Sequence, residues 1–266
     1  MTAATPACGG SLSPPPAEET GKCSLEGAVP ATVAAVDEDF ELLLDDGRRA
    51  VLSGLDFPPP EMKELRAGIR GRLSSWLAGR DIFLGAFAST LDRWGRAPAR
   101  IYASPAEGES ASTPLTSVAA ALLAAGEARF RPDPAAAACA QAYLTAEAPA
   151  RDAGLGLWSR PELRPIDVSS PGAIEAIKGR KGMIVVVGAI RSVGESRRAF
   201  YLNFGDKWRD GLTVVISRRN FANLGQIAPR SLVGRRARVR GLIDTGSRIE
   251  IATPAEIEFI DGDAAR

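Results

Sequence analysis

Short apolar runs, each closed by Gly, Pro, Asp or Ser, recur along this 266-residue chain, and that rhythm leaves few folds open. Residues 32–36 and 40–44 are apolar and β-prone, and Asp46-Gly47 is a hairpin signal ahead of a third run over 49–55. Three prolines at 58–60 end the set. Over 61–78 the period changes: Met62, Leu65, Ile69, Leu73, Trp76 and Leu77 recur at spacings of three and four, which predicts one amphipathic helix with Gly79 beyond its end. Residues 81–89 and 97–102 form a second hairpin around LDRWGR. Thr113-Pro114 opens a second helix through Leu123, and a third covers 134–152 before GLGLW. The order β-β-β-α-β-β-α-α predicts a mainly β chain with α (α+β), a five-stranded barrel carrying three helices.

Composition excludes several chemistries. The chain has no histidine, so no Ser-His-Asp or Cys-His nucleophile, no HExxH zinc site and no imidazole acid or base. Carboxylates, Arg, Lys, Tyr or an oxygen-held metal must do any work. No run of about 18 apolar residues exists, so no membrane span is expected. The opening MTAATPACGGSLSPPPAEETG lacks the basic flank and apolar stretch of a signal peptide; either the protein stays inside, or a signal is removed or lies upstream. Residues 171–266 hold 17 Lys and Arg against 10 Asp and Glu, and the preceding 170 hold 16 against 22. That asymmetry, with a Pro-, Ser- and charge-rich stretch between, predicts a mobile leader over 1–23, a domain over 24–160, a linker over 161–171 and a basic domain over 172–262.

The succession VDED, LSGLDFP, DRWGRAPARIY, LLAAGEAR and E-x10-W (Glu147 to Trp158) resembles the staphylococcal nuclease (thermonuclease) family across about residues 25–159. The resemblance implies an OB barrel and a calcium-dependent phosphodiesterase with two metal carboxylates, a strand Arg, a loop Glu and the Arg of the second hairpin. The metal carboxylates match Asp39 and Asp56, and the hairpin Arg matches Arg96. Val51 stands in place of the strand Arg and Pro59 in place of the Glu, while Phe40 and Phe57 replace the Thr beside each metal carboxylate. Loss of a general base costs about 10²- to 10⁴-fold, and loss of a guanidinium at a transferring phosphoryl group about 10³- to 10⁵-fold. Glu61 and Arg49 are the neighbours from which a rescue could come. Two carboxylates also fall short of the six to eight oxygens calcium prefers, so no cofactor is called for beyond calcium at Asp39 and Asp56. Arg96 is equally suited to pairing with Asp92 across the turn, and Trp76, Trp94 and Trp158 to core or hairpin packing.

The second half reads as strands over 183–190, 199–204 and 212–216, a polar helical piece over 218–232, then strands over 236–243, 248–251 and 256–260. Three strands, a helix and two strands look like a nucleic-acid-binding OB fold. In GRRARVRGLI, Arg236, Arg238 and Arg240 alternate with small residues, so one strand face is expected to carry three guanidinium groups about 6.5 to 7 Å apart. Arg218, Arg219 and Arg235 lie nearby in sequence, and Tyr201, Phe204 and Trp208 offer flat faces. Stacking and phosphate contacts on such a face would suit single-stranded nucleic acid; a solvated face or a protein partner are the alternatives. A disulfide between Cys8 and Cys23 would tie down the leader, with Cys139 a small buried side chain. That pairing, and the exported habit of the family, favour the periplasm or outside. The expected protein binds single-stranded nucleic acid on an incomplete nuclease scaffold; a weak phosphodiesterase and a non-catalytic protein scaffold are the other readings.

Overall fold

The computed structural model describes residues 23–260 apart from 88–89, 106–113, 179, 181, 206–210, 226 and 245–246. The first strands are β1 (Val29–Val36), β2 (Leu42–Leu44), β3 (Arg49–Leu52) and β4 (Leu55–Asp56), followed by α1 (Lys63–Leu77). Gly47 turns the β2–β3 hairpin at φ +83, a left-handed value that a side chain would resist. Then come β5 (Asp81–Ala86), β6 (Ala97–Ala103), β7 (Thr116–Ser117), α2 (Val118–Ala124), β8 (Arg129–Phe130) and α3 (Ala140–Ala153). Strand β1 pairs antiparallel with β2 and β5, β2 with β3 and β5 with β6; β6 returns parallel onto β3, Ala50 facing Ala97. The circuit β1-β2-β3-β6-β5 closes a five-stranded barrel, compatible with an OB-like barrel. Val33, Leu42, Ala50, Ile82 and Ile101 fill it, and α1 lays Ile69, Leu73 and Leu77 against that core. The stripe at three- and four-residue spacing is therefore the buried face, as its period predicts.

After β9 (Ile166–Asp167) and α4 (Ala173–Lys178) the strands are β10 (Met183–Glu195), β11 (Ala199–Phe204) and β12 (Leu212–Ser217). The short α5 (Arg218–Ala222), then β13 (Arg236–Leu242), β14 (Arg248–Ile251) and β15 (Ile257–Phe259) follow. Strand β12 takes β14 as a parallel neighbour, and β10 takes β13 as an antiparallel one. A bridge between Ile243 and Ile249 joins the β13 and β14 sides, so β10-β11-β12-β14-β13 repeats the order of the first barrel. The helical piece expected over 218–232 shrinks to α5 and a turn of 3-10 helix at Pro229–Leu232. Gly225, at φ +94 between them, and Pro229, which opens the second turn, interrupt any continuous helix.

The connecting segments carry structure of their own, and one reading of them is corrected. Within the linker over 161–171, β9 pairs parallel with β10, Ile166 facing Val186. Val168 follows it so closely over Gly188 that a Cβ there would sit 2.2 Å from the Val168 side chain. The disulfide joins Cys23 to Cys139, with Cα atoms 4.9 Å apart, so Cys23 is not Cys8's partner; Cys8 lies outside the described residues. Cys139 is buried beside α3, but as half of a bridge rather than as a free thiol. The bridge spans 116 residues of sequence and enters the first core directly.

In the chain-entropy picture, a cross-link closing a loop this long removes on the order of 4–5 kcal/mol of unfolded-state freedom. Thermal unfolding of the wild type with and without dithiothreitol is expected to show a clear drop in midpoint on reduction. A Cys23→Ser Cys139→Ser variant should match the reduced protein and no longer respond to dithiothreitol.

Candidate functional site

The loop between β1 and β2 carries the first candidate carboxylate. Asp37 Oδ1 accepts from the backbone N–H of Asp39 and of Glu41, both at 2.9 Å, and tightens the turn. Phe40 is held there at φ +63, a conformation unusual for a bulky residue. That single left-handed step breaks the alternation of the run over 40–44 and turns both Phe40 and Glu41 inward. Phe40, 1% exposed, stacks on Phe57 with ring centroids 3.9 Å apart and planes 6° from parallel.

Above the Phe40 ring, 4.8 Å from its centroid, lies the guanidinium of Arg66 from α1. It donates to the carbonyls of Pro58 and Glu38 at 2.7 Å each and to Asp39 Oδ1 at 3.1 Å. One side-chain cation thus ties together the two loops that carry Asp39 and Phe57. Asp56 is engaged as well: its Oδ2 accepts from Arg129 Nη2 at 2.5 Å and Nε at 3.1 Å. Arg129, buried in β8, also donates to the carbonyls of Leu163 and Met183. Each carboxylate that the resemblance assigns to a metal therefore already holds a guanidinium, and among the described residues no group of three or more His, Cys, Asp or Glu could hold an ion.

Arg96 is fixed from two sides. Asp92 takes its backbone N–H at 2.9 Å and its Nε at 2.8 Å, and Glu41 Oε1 takes Nη1 at 2.6 Å. Burial alone would lower the Arg96 pKa; the hydrogen bonds from Glu41 and Asp92 outweigh it and raise the value. Glu41 gives its second oxygen to Arg49. The rescue imagined from Arg49 is spent on that pair, and Glu61 stays exposed to solvent. Glu41, Arg66 and Arg129 were not assigned roles from sequence. Arg129 at least sits inside LLAAGEAR; Arg66 and Glu41 carry no local signal, because only the left-handed Phe40 and the packing of α1 bring them in.

Asp39, Asp56 and Arg96 do line one cleft, of about 960 Å³, with Val51 and Pro59 also on its wall. Its far side comes from the segment after the first barrel and from the start of β10, including Arg164, Ile166, Arg180 and Met183. A scan against protein-family models and a search of curated proteins both return no match for this chain.

The arginine stripe of β13 has a different fate from the one expected. Arg236, Arg238 and Arg240 share a face as the period of two requires, but toward its end that face packs on the first barrel. Arg240 is 1% exposed and its Nη2 meets Glu147 Oε2 at 2.9 Å and Glu258 Oε1 at 2.8 Å, while Nη1 donates to Glu147 Oε1 and to the Phe130 carbonyl. Glu147, fully buried on α3, also accepts the Phe130 N–H at 2.6 Å. Ala150 and Trp158 of the first barrel close around Val185 of β10 alongside. Arg240 is thus inaccessible to a phosphate, a correction to the stripe. Arg238 pairs with Glu258 and Arg236 with Asp167, both at 3.3 Å, so neither stands as an open cation. Arg218 meets Glu195 at 2.5 Å and covers the Phe200 ring.

Arg219 is exposed and forms no ion pair among the described residues, and Tyr201 lies on the outer face of β11 beside Gly194. Phe204 is core, not a stacking face, and Trp208 lies outside the described residues. The reason is physical: a cationic strand face reads identically in sequence whether it meets phosphates or carboxylates of its own chain.

Removing one partner of a buried pair costs about 3–5 kcal/mol, because the other charge stays buried. Arg240→Met should lower stability by about that amount in denaturant titration, and a double-mutant cycle with Glu147→Met should recover most of it. Burial raises the Glu258 pKa, but Arg240 and then Arg238 outweigh it and hold the carboxyl below its ordinary value. A depressed carboxylate stabilises the fold above its unfolded pKa and loses that contribution as pH falls through the folded value. The unfolding midpoint is therefore expected to fall below about pH 4.5, and Glu258→Gln should flatten part of that fall.

Proposed function

We propose that this chain is a non-catalytic binding module on a thermonuclease-like scaffold, with the cleft between its two barrels as the ligand surface. The observation that carries this reading is the Phe40–Phe57 stack capped by Arg66. Metal-assisted hydrolysis needs a cation held by oxygen ligands to steady the developing phosphorane charge, and a free carboxylate to position water. Here a guanidinium takes Asp39, another takes Asp56, and both oxygens of Glu41 are given to Arg49 and Arg96, which leaves Asp133 and Glu162, away from the positions the resemblance assigns, as the unpaired carboxylates of the cleft among the described residues. Val51 and Pro59 supply neither charge nor a proton acceptor. A disulfide supports an oxidising compartment as the working location.

The weak phosphodiesterase reading keeps one observation in its favour, the shared cleft of Asp39, Asp56 and Arg96. Incubation of the purified chain with single- and double-stranded DNA and RNA, with calcium or with chelator, separates the two. No calcium-stimulated cleavage is the expected result. Cleavage that depends on calcium and disappears in an Asp39→Ala Asp56→Ala variant would overturn the binding-module reading.

A further inference from the structure

The cleft belongs to neither barrel alone, and three of its arginines stand apart from its ion pairs. Asp39, Asp56 and Asp92 each meet an arginine of their own. Arg131, Arg164 and Arg180 line the same cleft from three separate segments and form no ion pair among the described residues. Arg164 uses Nε and Nη2 on the carbonyls of Trp158 and Ser159, at 3.0 and 2.9 Å, and Arg180 gives Nη1 to the carbonyl of Glu162. Backbone carbonyls orient these guanidinium groups without neutralising them.

The cleft is also rich in proline. Pro58, Pro59, Pro60, Pro98 and Pro134 all line the cleft, and none has a backbone N–H. A ligand there meets apolar ring surface and, unpaired among the described residues, three guanidinium groups and two carboxylates, Asp133 and Glu162, so it fits best with a few spaced acceptors of negative charge.

We propose that the cleft takes an extended peptide segment bearing several carboxylates, gripped by Arg131, Arg164 and Arg180 with its apolar side chains on the proline wall. This rests on the binding-module reading of the same cleft. Three features favour a peptide over a nucleic-acid strand. Phe40 is covered by Phe57 and Arg66, and Trp94, although 57% exposed, carries the guanidinium groups of Arg93 and Arg96 at 4.1 and 4.6 Å from its ring. The rings that line the cleft at Phe40 and Trp94 are thus already engaged by side chains of this chain. Asp133 and Glu162 also line the cleft, with no ion pair among the described residues. A strand charged at every nucleotide cannot avoid those two carboxylates, whereas the acidic side chains of a peptide can be spaced to miss them.

The test uses the full chain with its disulfide intact and follows fluorescence anisotropy of labelled probes at low and moderate salt. The probes are a short peptide of alternating Glu and Leu, the same peptide with Gln for Glu, and a single-stranded oligonucleotide of matched charge. The Glu peptide is expected to bind saturably, more weakly as salt rises, and at least about tenfold tighter than its Gln counterpart, the low end for charge-assisted contacts. An Arg131→Ser Arg164→Ser Arg180→Ser variant should lose about tenfold or more in affinity, and Arg219→Ser, off the cleft, should lose nothing. Should the triple variant fail to fold by circular dichroism, Arg131→Ser alone serves, since that exposed side chain makes no hydrogen bond within the described residues. Equal binding of the Glu and Gln peptides, no saturable binding, or affinity indifferent to the arginines would each overturn the proposal. Tighter binding of the oligonucleotide would overturn it in favour of nucleic acid. The cleavage assay decides separately whether the module is catalytic.

Discussion

The buried meeting of Arg240 with Glu147 is the constraint on which the arrangement of the two barrels depends. A guanidinium and a carboxylate withdrawn from water are tolerable only when each finds several partners in fixed geometry. Glu147 has the Phe130 N–H, Arg151 and Arg240, and Arg240 has Glu147, Glu258 and the Phe130 carbonyl. Those partners come from α3, β8, β13 and β15, so the network is satisfied only when both barrels are in place together. Val185 seated against Ala150 and Trp158 adds an apolar seal to the same junction.

That junction is also what makes the cleft. Arg129 reaches from β8 to Asp56 in one direction and to the carbonyls of Leu163 and Met183 in the other. The orientation of a first-barrel carboxylate is thereby set by backbone from beyond that barrel. The loops that carry Asp39 and Phe57 are joined by a fixed organic cation and a pair of stacked rings. A guanidinium holds loops together as an ion can, but it has no open coordination position for water or phosphate.

Close packing of backbone explains two of the motifs that carried the resemblance. Gly126 of LLAAGEAR and Gly156 of GLGLW lie against each other: a Cβ on Gly156 would come within 2.2 Å of the Gly126 carbonyl oxygen. Leu157 N–H donates to that same oxygen at 2.7 Å. These segments are thus spaced as they are for contact between chain turns, independently of any reaction at the cleft.

Local physics alone determined the five main strands of each barrel, the buried stripe of α1, the Asp46-Gly47 turn and the Asp92–Arg96 hairpin. Each depends on side chains a few residues apart, and period and turn chemistry act at that range. The pairing of Cys23 with Cys139, the inward turn of Glu41, the approach of Arg66 to Asp39 and the burial of Arg240 were decided only by tertiary structure. In each the partners are far apart in sequence, or a single backbone step at Phe40 shifts the alternation. An arginine does not carry in its neighbours' identities whether a phosphate, water or a carboxylate of its own chain will answer its charge.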